Sequence, residues 1–130
     1  MNVKLTYQAR IAQYLHIAPE QVSLYWKGRV ALYTVLKAMG VGPGDEVVLP
    51  AFTCVVVPNA ILYLGATPIY VDINPTVLCC SASQIEQVLT PKTKVILIQN
   101  MLGLSFEVEE IVSLAKARGI YTIEDCTHGF

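Results

Sequence analysis

The sequence predicts an α/β fold: a mostly parallel sheet with helices on both faces. Three observations carry that expectation. Short runs of β-favouring residues alternate with segments of helical period. The connections between them are short and punctuated by glycine and proline. The 130 residues are 54% apolar and only 15% charged, more apolar than an average soluble domain. Such a balance implies strands buried on both faces, as crossover helices produce, or an apolar surface that expects a partner.

The elements follow in order. Residues 1–27 form a mixed N-terminal segment, with a short helix over Arg10 to Leu15 and a turn at Pro19-Glu20. From Arg29 to Met39, apolar Val30, Leu32, Val35, Leu36 and Met39 mark a largely buried helix, ended by Gly40, Gly42, Pro43 and Gly44. Glu46 to Leu49 reads as a strand. A helix over Thr53 to Leu64 stops at Gly65, and Pro58 either kinks it or marks its true start one turn later. Ile69 to Asp72 is the second strand. Ser83-Gln84-Ile85-Glu86 has the spacing of a capping box opening a helix through Leu89. Lys94 to Ile98 is the third strand. Glu107 to Arg118 is an amphipathic helix closed by Gly119, and Ile120 to Ile123 the last strand. Helices between consecutive short strands imply parallel pairing.

Composition excludes several function classes. A net charge of −1 gives no basic surface for nucleic acid or an anionic membrane. The uncharged stretch from Val47 to Val71 has the length of a membrane span, but Pro50, Pro58, Gly65 and Pro68 cut it into pieces. The first ten residues carry Lys4 and Arg10 and no apolar core of a signal peptide. Cys54, Cys79, Cys80 and Cys126 form no CxxC pair and read as reduced thiols, which points to the cytoplasm. Cys126 and His128 alone are too few ligands for a metal site.

Ligands of parallel α/β sheets bind beyond the carboxyl ends of the strands. In this chain those ends release Pro50 to Cys54, Asp72, Gln99-Asn100, and Glu124, Asp125, Thr127 and His128, whereas the amino ends are plainer. Lys27-Gly28-Arg29 opens the first long helix. Free N–H groups at a helix start, a glycine and two cations make a plausible anion seat. Asp125, at the end of a buried strand, serves either as an N-cap or as the partner of a ligand cation. His128 reads equally as a surface or capping histidine, and Cys54 as core filler.

Seven stretches in register resemble the PLP (pyridoxal phosphate)-dependent sugar aminotransferases of the DegT/StrS type, within fold type I. They are Gly28 to Leu32, Gly40 to Val47, Leu49 to Thr53, Gly65 to Pro68, Val71 to Ile73, Thr90 to Lys94 and Ile123 to Cys126. The resemblance implies that residues 28–130 are part of the PLP-binding large domain. It implies that Gly28 and Arg29 meet the cofactor phosphate, that Asp125 meets the pyridine nitrogen, and that His128 approaches the phenolic oxygen. Cys54 stands where many members stack an aromatic ring on the pyridine, and Arg29 where they carry a small hydroxyl residue. The implied activity is transfer of an amino group, commonly from glutamate, to a nucleotide-linked keto-sugar, in a homo-oligomer, usually a dimer.

The family's aldimine-forming lysine lies beyond Phe130. The chain is therefore expected to be truncated before it, to be inactive alone, and to hold PLP weakly or not at all. Lys37 and Lys116 sit within helices, Lys92 and Lys94 at the amino end of a strand, and Lys4 and Lys27 early; none is expected to reach a ring held by Asp125. Two other functions remain open at this point: a PLP sugar dehydratase on the same scaffold, and a non-catalytic remnant that binds a small ligand or an intact homologue.

Overall fold

The computed structural model describes residues 3–129; Met1, Asn2 and Phe130, at the limits of the two expected segments, lie outside the described residues. Its helices are α1 (Val3–Leu15), α2 (Gly28–Ala38), α3 (Val56–Leu62), α4 (Ala82–Glu86) and α5 (Val108–Ala117), and its strands β1 (Glu46–Pro50), β2 (Thr67–Val71), β3 (Thr93–Gln99) and β4 (Tyr121–Asp125). Short 3-10 turns lie at Pro19–Gln21 and Met101–Gly103. The four strands form one sheet in the order β2-β1-β3-β4, and every pairing is parallel.

Period-2 alternation of the central strands splits the core in two. Val47 and Leu49 of β1 and Val95 and Leu97 of β3 pack on one face with Leu36 of α2 and Val57, Ala60 and Ile61 of α3. Val48, Ile96 and Ile98 pack on the other with Ile85 of α4 and Ile111 and Ala115 of α5. The central strands are buried and the edge strands β2 and β4 are half-exposed. The expected architecture, helices on both faces of a parallel sheet, is thus the observed one.

Element ends explain where sequence and structure part. The first helix runs seven residues further toward the N-terminus than its expected start at Arg10. It stops at His16, which takes a left-handed φ of 55° while Ile17 N–H returns to Ala12 O at 3.0 Å. α3 begins at Val56, not Thr53, so buried Pro58 falls in its first turn, where a missing N–H leaves no intrahelical bond unmade. Gly65 ends it with φ 76°; a Cβ there would also stand 3.0 Å from Pro43 Cγ. The capping box is real but sits two residues earlier than expected. Ser81, not Ser83, is the N-cap: its Oγ accepts Gln84 N–H at 3.2 Å, and Gln84 Oε1 accepts Ser81 N–H at 2.9 Å. Both serines satisfy the spacing rule. The difference is Glu107, whose Oε2 accepts Ala82 N–H at 2.9 Å and so satisfies the donor that follows Ser81. α4 ends at Glu86, short of Leu89.

The amino edge of the sheet carries a small ionic clasp. Lys94 Nζ donates to Gly40 O at 2.7 Å and to Asp45 Oδ2 at 3.2 Å, and Gly42 N–H donates to Asp45 Oδ2 at 2.9 Å. The Gly42 N–H, the largest influence, holds the Asp45 carboxyl below its ordinary value of 3.8; burial opposes it, and Lys94 adds to the lowering. A depressed carboxyl stabilises the fold above its unfolded-state pKa and loses that contribution as pH falls through its folded value. Asp45→Asn is expected to cost about 1 kcal/mol at neutral pH. The gap between variant and parent should close on acidification below pH ~4. Urea midpoints across a pH series check this; a gap that persists in acid would exclude the ionic origin.

Candidate functional site

The strand order creates the site. β1 leads through α3 to its neighbour on one side, β2, whereas β3 leads through α5 to β4 on the other. The chain therefore diverges beyond the carboxyl ends of β1 and β3, where α/β sheets open their binding crevice. A cleft of about 630 Å³ lies there, within the ordinary range for small-molecule sites. Gly28, Arg29, Cys54, Asp125 and His128 all line it.

Strand register places Asp125. In the parallel β3–β4 pair, Gln99 stands beside Asp125 and Leu97 beside Ile123. Alternation carries Asp125 to the same face as Ile123 and Leu97, which is the face covered by α2 and α3. The start of α2 and the aspartate thus meet by parity of position. Gln99 Nε2 donates to Asp125 Oδ2 at 3.0 Å, and Thr127 N–H donates to Oδ1 at 3.0 Å. The Thr127 hydroxyl makes a further short bond to Oδ1. The carboxylate is therefore oriented from both sides, and Oδ2, with one donor, retains lone-pair capacity for a ligand.

The opposite wall is the start of α2. Lys27 occupies the N-cap position without a side-chain cap, and Val30 and Ala31 N–H both turn back to Lys27 O at 3.0 and 3.2 Å. Gly28 and Arg29 are the first two helical residues, ahead of those bonds, so their N–H groups have no intrahelical acceptor. Nothing stands within 4 Å of a Cβ built at Gly28, so the chain's own packing does not demand glycine there. A close ligand would. The cations and helix dipole at this end share the cleft with the Asp125 carboxylate at the other.

His128 is exposed, and its Nδ1 accepts Leu102 N–H at 3.0 Å. That bond puts the proton of the neutral ring on Nε2. It also anchors the 3-10 turn in which Leu102 adopts a left-handed φ of 56°. Cys54 lies exposed in the turn between β1 and α3, where its carbonyl accepts Val57 N–H at 2.9 Å. Cys126 also lines the cleft; burial, then the nearby Glu124, pushes its thiol up. Cys79 and Cys80 are buried away from the cleft, and burial pushes the Cys80 thiol up to about 11. Among the described residues, no group of three His, Cys, Asp or Glu side chains could hold a metal ion, and no helix is long and apolar enough to cross a membrane.

Sequence reasoning missed part of the cleft. Leu32, Val35, Val56, Val57, Met101 and Ile123 line it, yet their apolar character reads as core. Lys27, noted only as early in the chain, lines the same cleft as Asp125, with Nζ 4.5 Å from the centre of the Trp26 ring. It reaches the site because the residue before α2 stands at the carboxyl edge. Lys94 is held by Asp45 and Gly40 at the other edge, as its position implied.

Residues 4–130 match the model of the DegT/DnrJ/EryC1/StrS aminotransferase family. The chain belongs to that family. Within it, the chain is 46% identical over 103 residues to GDP-perosamine synthase of Escherichia coli O157:H7, covering 79% of this chain and 28% of that one. Its fold superimposes on the crystal structure of the aminotransferase TlmJ from Streptoalloteichus hindustanus with a TM-score of 0.93 at 32% identity, over 96% of this chain and 34% of that one. NtdA from Bacillus subtilis, solved with bound cofactor PMP, matches with a TM-score of 0.85 at 33% identity, over 100% of this chain and 30% of that one. The chain thus spans about a third of the length of these family members or less.

Proposed function

We propose that this chain forms the phosphate-and-ring wall of a PLP site in an aminotransferase acting on a nucleotide-linked keto-sugar. The observation that carries the reading is the cleft itself. It sets an uncapped helix start with two flanking cations opposite an aspartate held by Gln99 and Thr127. One end suits an anionic phosphate, the other a protonated ring nitrogen, and the open space at Gly28 admits close approach. The residues present therefore fit the cofactor that the family implies.

In this reading the N–H groups of Gly28 and Arg29 and the Arg29 guanidinium receive the phosphate. Asp125 would hold a proton on the ring nitrogen. His128, with Nδ1 engaged by Leu102, offers Nε2–H toward the phenolic oxygen. Cys54 forms a wall of the cleft without the stacking surface of an aromatic ring. Bound there, PLP supplies the electron sink through which an amino group passes from a donor such as glutamate to the sugar ketone. Residues 28–130 act as the cofactor-binding part, with residues 1–27 as a flanking segment. The half-exposed edge strands favour pairing with a second copy. No observation favours the dehydratase reading.

Spectral titration with PLP tests the proposal. Binding is expected to shift the cofactor's absorbance reversibly; an unchanged spectrum at saturating PLP would refute the reading for this chain. Borohydride reduction of the same sample is expected to leave no stoichiometric pyridoxyl-lysine. A single adduct at Lys27 by mass spectrometry would instead put covalent chemistry on the N-terminal wall of the cleft.

A further inference from the structure

Two amides at the end of β3 are held by carboxylates in a way that leaves their oxygens without protein donors. Gln99 spends a donor on Asp125 Oδ2, at 3.0 Å. Asn100 spends its Nδ2 on Glu124 Oε1 at 2.7 Å, with Cys126 Sγ at 3.4 Å. Flipping either amide would turn an oxygen onto a carboxylate, so the carboxylates fix both orientations. Gln99 Oε1 and Asn100 Oδ1 are both buried, and no donor among the described residues reaches them. Asn100 as a whole is only 9% exposed. An unpaired buried acceptor costs about 1–3 kcal/mol, so two at adjacent residues need an explanation.

A recess of about 20 Å³ at this point is lined by both amides together with Met101, Asp125, Thr127 and His128. One water needs roughly 10–15 Å³ and two or more polar partners; the recess provides both. A neighbouring recess, also lined by both amides, is about 10 Å³ and otherwise mostly apolar, and suits water less well. We infer that ordered water lodges in the polar recess, donates to Gln99 Oε1 and Asn100 Oδ1, and thereby makes Gln99 a positioning residue for Asp125. Water suits these atoms because they lack only donors and it carries two. The hydrated site stands without any cofactor. Only its value for holding Asp125 against a ring nitrogen rests on the function proposed above.

An atomic-resolution crystal structure of this chain without PLP tests the inference directly. Ordered water is expected within hydrogen-bond distance of both oxygens. A monovalent cation in that place, identified by anomalous scattering after rubidium exchange, would overturn it, as would oxygens with no ordered neighbour. The second arm is Gln99→Met, which keeps length and removes donor and acceptor together. The Asp125 carboxylate is then expected to leave its present rotamer or spread over two, and the water at that position to disappear. An unmoved, single Asp125 conformer in the variant would show that Thr127 alone orients it and would overturn the positioning role. If the variant does not fold, the water in the parent structure still decides. Failure of PLP to bind, by contrast, would count against the proposed function and leave both crystallographic readouts intact.

Discussion

Ile96→Ala is expected to remove about 2–5 kcal/mol of stability, the usual range for truncating a fully buried aliphatic side chain. Ile96 is 0% exposed and sits in β3, which pairs on both sides. Its side chain packs among Val48, Ile98, Ile85, Ile111 and Ala115, so four elements meet at the gap the substitution leaves. A chain of this size has a total stability of only roughly 6–20 kcal/mol, so the loss is a large share. Val112→Ala is the matched comparison. Val112 is 40% exposed on α5, and its truncation is expected to cost no more than about 0.5 kcal/mol. Urea unfolding should show the Ile96 variant with a much lower midpoint and an unchanged slope. Equal midpoints for the two variants would mean that the α4–α5 side of the sheet is not a packed core.

The difference between these two residues also shows what the sequence could reveal. Continuous β-favouring runs at Glu46–Leu49 and Lys94–Ile98 lie in the two central strands, because burial on both faces removes polar alternation there. Alternation with helices then dictated parallel pairing, and parallel pairing put every strand's carboxyl end on one edge. That reasoning is why Asp125 could be placed at the ligand-binding edge from spacing; that the start of α2 shares its cleft was what the family resemblance implied. What stayed hidden depends on long-range contacts. Ser81 and Ser83 are equivalent by spacing, and Glu107, 26 residues after Ser81, separates them. The His128–Leu102 bond joins two loops 26 residues apart and has no local signal. Gln99 and Asn100 were visible as polar residues at a strand end. Their roles emerge only from the register that sets Gln99 beside Asp125.

Asp125→Asn is expected to weaken PLP binding by about tenfold to a hundredfold. A hydrogen bond to an ionised partner contributes about 1.5–3 kcal/mol, and about 1.4 kcal/mol is a factor of ten. The substitution keeps the side chain's shape and removes the charge that would keep a ring nitrogen protonated. It also places an amide where Gln99 Nε2 and Thr127 N–H both donate. Those two donors would claim the single remaining oxygen, turning the amide nitrogen toward one of them. The loss thus has two sources, charge and orientation, and both act at the same end of the cleft. Stability should change little, because Asp125 ends an edge strand and its bonds are local or to one neighbour. Glu110→Gln is the comparison for charge alone: Glu110 lies exposed in the first turn of α5 and should leave the affinity as it is. Spectral titration of the three proteins under one buffer measures the ratio. An Asp125→Asn affinity within twofold of the parent, with an unchanged urea midpoint, would show that PLP is held without Asp125, and that the resemblance to the family's ring-nitrogen partner does not extend to this residue.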